Sequence, residues 1–250
     1  MSKFKRLNDP RAAVIVSHNR SGGTYLCHCL NNHLLVHCFA DEVLHQKNVF
    51  GQVIHDPVDI LRIVLHLNQF EVSMCKISYV QFLAYPQVRD YLWKVDAKVI
   101  HLYRGNWLAS AMSEMIRHRK YRPTHVFYEV PETKPAYLDV DRLHQIMWKQ
   151  KGQSRKVREL LSLVKADVMP LSYPEIVGGE GVDSKGIPSG TAIKICNYLG
   201  VPHEPLRSGH MRKVTNPYLA VTNWDEIKAS VKETKFEGCV REIEHVYKPD

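Results

Sequence analysis

The chain has 250 residues, with 34 Lys+Arg against 26 Asp+Glu for a formal charge of +8, and a pI near 9.1. A hydrophobic content of 44% excludes a globally disordered chain, and the length suits one large α/β domain, 1–250, able to bury a full core. No apolar run is long enough to cross a bilayer. The basic balance points to an anionic ligand without separating nucleotide, nucleic acid, sulfated sugar or membrane surface.

Met1–Arg6 is charged with no apolar segment behind it, so no signal peptide is expected. Cys27, Cys29, Cys38, Cys75, Cys196 and Cys239 are dispersed rather than packed as a disulfide framework, which predicts reduced thiols and a cytoplasmic protein.

Residues 12–17 read as a buried strand, and Thr24 to about His33 as a helix. A second helix covers 58–67, apolar on most sides, and 71–77 reads as a strand. A short helix follows over 87–93, then a buried strand over 98–102 and a helix over 106–118. Residues 141–163 form a long amphipathic helix. The segment 168–171 is a strand that Pro170 demotes towards an edge or a strand end. Helices are predicted over 191–199 and 224–234. Two stretches read as loops: 120–135, a lid or acceptor wall with three prolines among aromatics, and 178–190, polar and glycine-rich. Strands alternating with helices predict an α/β fold, a mostly parallel central sheet with helices on both faces, whose ligands bind at the carboxyl ends of the strands.

The chemistry-bearing text follows the first strand. Ala12-Ala13-Val14-Ile15-Val16-Ser17 runs into His18-Asn19-Arg20-Ser21-Gly22-Gly23-Thr24-Tyr25. A strand, a tight turn and a helix N-terminus can aim backbone N–H groups and the positive end of the helix dipole at one anion. The Lys-Ser/Thr ending of a Walker A loop is missing, which argues against an ordinary ATPase. The layout recurs at Lys98–Ser113. Arg104 closes that strand, Asn106 is a good N-cap, and Ser110 and Ser113 share its helical face. Arginine with a hydroxyl on that face makes a second phosphate-sized site.

These two motifs in this order resemble the sulfotransferases, most closely the carbohydrate-type and bacterial ones. Cys75-Lys76-Ile77-Ser78-Tyr79, Leu171–Ile176 and Cys196–Val201 add weaker matches along most of the chain. The resemblance implies a P-loop-like sheet and 3′-phosphoadenosine 5′-phosphosulfate as donor. It places Arg20 at the loop's catalytic Lys or Arg. Ser21, Gly22, Gly23 and Thr24 would then lie at the 5′-phosphosulfate. Arg104 with Ser113 would hold the 3′-phosphate, with Ser110 as a rival to Ser113. Arg212 and Lys213 would correspond to a basic closing loop. Tyr25 or Trp107 would stack on adenine, unless each is simply core.

The implied reaction moves a sulfuryl group to a hydroxyl of a carbohydrate or small molecule, and the protein positions reactants and stabilises charge. Ser78 stands where the hormone-type enzymes carry their His base. The expected base is therefore Glu42, then His45, then Asp41. Lys76 reaches the sulfuryl group or else snorkels at the strand edge. No metal is expected. Cys27-His28-Cys29 has ligand types, but a two-residue separation on a helix points them apart. No nucleic-acid or membrane partner is implied, and the assembly state is open, a homodimer included. A P-loop kinase or phosphotransferase, or a basic nucleic-acid-binding protein, stands as the alternative.

Overall fold

The computed structural model describes residues 11–40, 43–45, 48–49, 52–53, 56–67, 69–120, 135–163, 167–178, 184–212 and 220–247. Five strands build the main sheet: β1 (Arg11–Ser17), β2 (Val36–Phe39), then, after the short β3 (Asn48–Val49) and β4 (Gln52–Val53) hairpin, β5 (Val72–Ser78), β6 (Lys98–Tyr103) and β7 (Val168–Ser172). Their order is β2-β5-β1-β6-β7, with every pairing parallel. The β-branched run of β1 occupies the centre, where both faces are covered. Pro170, which has no N–H to donate, lies on the edge strand β7, as its chemistry demands.

Side chains of β1 alternate between two cores. Ala13 and Ile15 join Leu26 and Leu30 of α1 (Gly23–Leu30), Ile176 of α7 (Tyr173–Val177) and Ile195 of α8 (Ser189–Leu199). Val14 and Val16 face Leu61 and Val64 of α2 (Pro57–Leu65), with Phe82 of α3 (Tyr79–Ala84) and Leu92 of α4 (Pro86–Lys94). A third cluster gathers α5 (Trp107–Lys120), α6 (Val140–Leu163), α9 (Trp224–Val231) and α10 (Glu237–Tyr247) around Met112, Met147 and Phe236.

Several elements differ from expectation. The first helix starts at Gly23 and stops at Leu30, three residues before His33. The stretch 178–190 contains the strand β8 (Ser184–Gly186), paired antiparallel with β9 (Arg207–Arg212), and the first turn of α8. Strand β2, helices α3 and α7, and the amphipathic α10 were not anticipated. Helix α9 ends at Val231 rather than continuing to 234. The loop reading of 120–135 lies almost wholly outside the described residues.

Asn106 caps α5 as expected: its Oδ1 accepts from Ala109 N at 2.8 Å. Its Nδ2 also donates to Cys239 O of α10 at 3.0 Å, so one side chain ends a turn and anchors the helical cluster beside it. Asn106→Ala removes both and should cost about 2 kcal/mol, the upper range for a cap, read as a shift in urea midpoint at constant slope.

Candidate functional site

Register builds the site. Ser17 stands level with Ser78 of β5 and Leu102 of β6. His18 and Tyr79, and Arg104 one residue further along, past the end of β6, therefore leave the sheet side by side at its carboxyl edge. Two turns predicted from separate stretches of sequence become neighbours.

The turn after β1 is held open by its own backbone. Arg20 has φ 64 and Gly22 φ 88, both left-handed, and Gly22 is the N-cap of α1 with no side chain to offer the first-turn N–H groups. A helix N-terminus without a side-chain cap, with the dipole's positive end behind it, is chemically suited to an anion. Only glycine fits at the cap. A Cβ on Gly22 would lie 2.8 Å from Ile176 Cδ1 and 2.9 Å from Tyr173 Cδ2. A Cβ on Gly23 would lie 2.9 Å from both Lys76 Cδ and Ser17 Oγ. Ser21 is fully buried and donates its hydroxyl to His18 O at 2.7 Å. Its side chain is thus a staple inside the turn.

Charged and hydroxyl side chains meet over this turn. Arg20 Nε donates to Ser113 Oγ of α5 at 2.9 Å. Lys76, from β5, donates through Nζ to Thr24 Oγ1 at 3.0 Å. Ser110 Oγ, fully buried, donates to Asn19 O at 3.3 Å. The two serines thus part company: Ser110 ties the helix to the loop, while half-buried Ser113 bonds to Arg20. Arg104 is buried, with its guanidinium 4.3 Å above the Tyr173 ring of α7. Tyr25 and Trp107 both pack against hydrophobic cores, and Trp107 lies 5.4 Å from the His18 ring. Cys27 and Cys29 are buried in the α1 core.

The joint between the two turns is His18, which the sequence reading passed over. Its Nε2 accepts from Arg104 N at 3.1 Å, which makes Nδ1 the protonated nitrogen, donating to Asn19 O at 2.6 Å. Burial holds this imidazole down at about 4, so it stays neutral and keeps that tautomer. Behind it, Tyr79 OH bonds to His101 Nε2 at 2.5 Å. Burial, with Arg158 and His18 nearby, likewise lowers His101 to about 4, and burial raises the Tyr79 phenol to about 12. Nothing in the residue types announces these partnerships, which depend on register between distant strands.

A small cleft opens beside the turn, lined among others by His18, Asn19, Ser78, Tyr79, Glu114 and Gln150. Ser78 is committed to an N-capping box with Gln81 of α3. Glu42, Asp41 and Lys213 lie outside the described residues, as do the side chains of His45 and Arg212. No helix among the described residues is long and apolar enough to cross a membrane.

No protein-family model matches the chain, and the search of curated proteins returns no match. Among solved structures, it is similar to a sulfotransferase from Alicyclobacillus acidocaldarius, at 15% identity and TM-score 0.49, over 96% of this chain and 97% of that one. It is also similar to the sulfotransferase domain from the Synechococcus PCC 7002 olefin synthase, at 12% identity and TM-score 0.49, over 100% and 94%. A third is mouse sulfotransferase SULT7A1 complexed with PAP, at 12% identity and TM-score 0.45, over 94% and 88%. The chemistry of the site is read from its own residues.

Two outcomes are expected. Gly22→Ala combines left-handed backbone with overlap on α7 and should destabilise by roughly 2–4 kcal/mol, whereas Gly23→Ala meets the flexible Lys76 stem and should mainly displace that lysine; paired denaturation curves check this. For the histidines, the ordinary value of 6.5 falls to about 4 in the folded chain. Above pH 6.5 neither state binds the protons. As pH drops below it, the unfolded chain takes them up and the folded chain does not. Stability should fall between pH 6.5 and 5 by about 1 kcal/mol per unit for each ring, and His101→Gln should remove about half of that slope in thermal unfolding.

Proposed function

We propose that this protein is a sulfotransferase that takes a sulfuryl group from 3′-phosphoadenosine 5′-phosphosulfate and places it on a hydroxyl of a carbohydrate or small-molecule acceptor. The observation that carries the reading is the convergence of Arg20, Lys76, Thr24 and Ser113 on the capless N-terminus of α1. Two cations, one from the turn after β1 and one from β5, and a helix dipole address one anionic group, with no Walker lysine in the loop.

In this reading the acceptor oxygen bonds to sulfur as the bond from sulfur to the bridging phosphate oxygen breaks, and the acceptor proton passes to a base. Arg20 neutralises charge that builds on the bridging oxygen, Lys76 steadies the sulfuryl oxygens, and Gly23 and Thr24 hold the 5′-phosphate. Arg104, with Ser113 or Ser110, takes the 3′-phosphate, and Arg212 and Lys213 close over it. Rigid positioning and charge stabilisation supply the acceleration. Glu42 remains the proposed base, with His45 and Asp41 behind it. Glu114 enters as a rival because it lines the cleft beside the turn.

Calorimetric titration with 3′-phosphoadenosine 5′-phosphate, ADP and ATP tests the reading. The first should bind best. Arg104→Ala should weaken it about thirtyfold, or about 2 kcal/mol, while leaving ADP nearly unchanged. An equal loss for both makes Arg104 structural. Arg20→Ala should leave the chain folded and lower turnover by about a hundred- to a thousandfold. Normal turnover in that variant overturns the assignment. Glu42→Gln and Glu114→Gln, assayed separately, identify the base as the one whose turnover falls about a hundredfold or more with donor affinity intact.

A further inference from the structure

The cleft beside the turn carries an acceptor atom that the protein does not use. Gln150, on α6, is only 4% exposed. Its Nε2 donates to Glu114 Oε2 of α5 at 2.8 Å. A carboxylate only accepts, so this bond fixes which end of the amide is which. Gln150 Oε1 is then left buried with no hydrogen-bond partner among the described residues. An unmet buried acceptor costs about 1–3 kcal/mol, a cost that a ligand donor recovers on binding.

Four polar residues of the wall, His18, Tyr79, Ser78 and Asn19, are already engaged. His18 uses both ring nitrogens. Tyr79 OH is bonded to His101, and Ser78 is held in its capping box. Asn19 O receives both His18 Nδ1 and Ser110 Oγ. Gln150, a residue of the same cleft, differs from them in holding a buried oxygen with no hydrogen-bond partner among the described residues.

Resting on the sulfotransferase reading, we infer that Gln150 selects the acceptor. The cleft takes a small polyol or amino alcohol that presents one hydroxyl to the sulfuryl group and a second O–H or N–H to Gln150 Oε1. The reacting hydroxyl gives its proton to the base and so does not serve Gln150 as well. A single-hydroxyl compound leaves the amide oxygen buried and unmet, and is discriminated against for that reason.

The probes are cyclohexanol and the trans-1,2-, 1,3- and 1,4-cyclohexanediols, with binding followed by saturation-transfer NMR on the full chain, with and without 3′-phosphoadenosine 5′-phosphate. At least one diol should bind tenfold or more tighter than cyclohexanol, and Gln150→Met, close to isosteric, should abolish the excess. If no diol exceeds cyclohexanol, or if the excess survives in Gln150→Met, the inference is overturned. The wild-type ratio decides against it even where the variant does not fold. Calorimetry with the nucleotide on the same samples separates the two layers: failure to bind it overturns the donor reading, whereas nucleotide binding without diol preference overturns the role of Gln150 alone.

Discussion

The neutral imidazole of His18 ties the two halves of the site together. It stands one residue past the central strand, accepts from the N–H of Arg104 and donates to the carbonyl of Asn19. The turn after β1 and the turn after β6 are thereby held at a fixed separation. A protonated ring has two donors and no acceptor, so it would lose the bond to Arg104 N. Burial keeps that state out of reach near neutral pH, because desolvation penalises the charged form. The geometry of an anion site is thus maintained by a residue that need not touch the anion.

Around this joint the chain accepts local costs. Arg20 sits in left-handed backbone, a conformation that disfavours a side chain, and the adjacent cap gives α1 no hydroxyl or carboxylate. Arg104 is buried against Tyr173 rather than spread in solvent. The left-handed backbone and the bare cap lower the stability of the isolated fold, and the two arginines raise the local positive potential. The costs are consistent with one another if an anion occupies the turn. Strain and unspent donors at the carboxyl edge of a parallel sheet are where sequence-level rules of stability should fail.

Much of the frame was legible because its signals are local. The run 12–17 and the run 98–102 are apolar and β-branched, and both are buried central strands. Asn106 is a cap in sequence and in space. Pro170 marks an edge strand correctly. Strand β2 escaped because four residues including His37 give too short a pattern. Helices α3 and α7 escaped because each begins on the residue after a strand ends, with Ser78 and Ser172 serving as both strand end and N-cap. In the site, Arg20, Lys76, Thr24 and Ser113 were legible as types, and the structure brings them together. Their pairing was not: Ser113 bonds to Arg20 rather than simply partnering Arg104, and this depends on how α5 lies across the turn.

The cleft shows the same division at a finer scale. Gln150 belongs to a helix whose sequence reads only as long, basic and amphipathic, and a glutamine on such a helix is ordinarily solvated. Its role emerges when Glu114, from the helix that also carries Ser113, takes its amide N–H and leaves the oxygen buried without a partner among the described residues. Because α5 supplies both the Arg20 contact and the Gln150 contact, displacement of that helix would alter donor and acceptor sides together. Coupling of this kind needs no moving part. It follows from one rigid helix sharing its faces between two subsites.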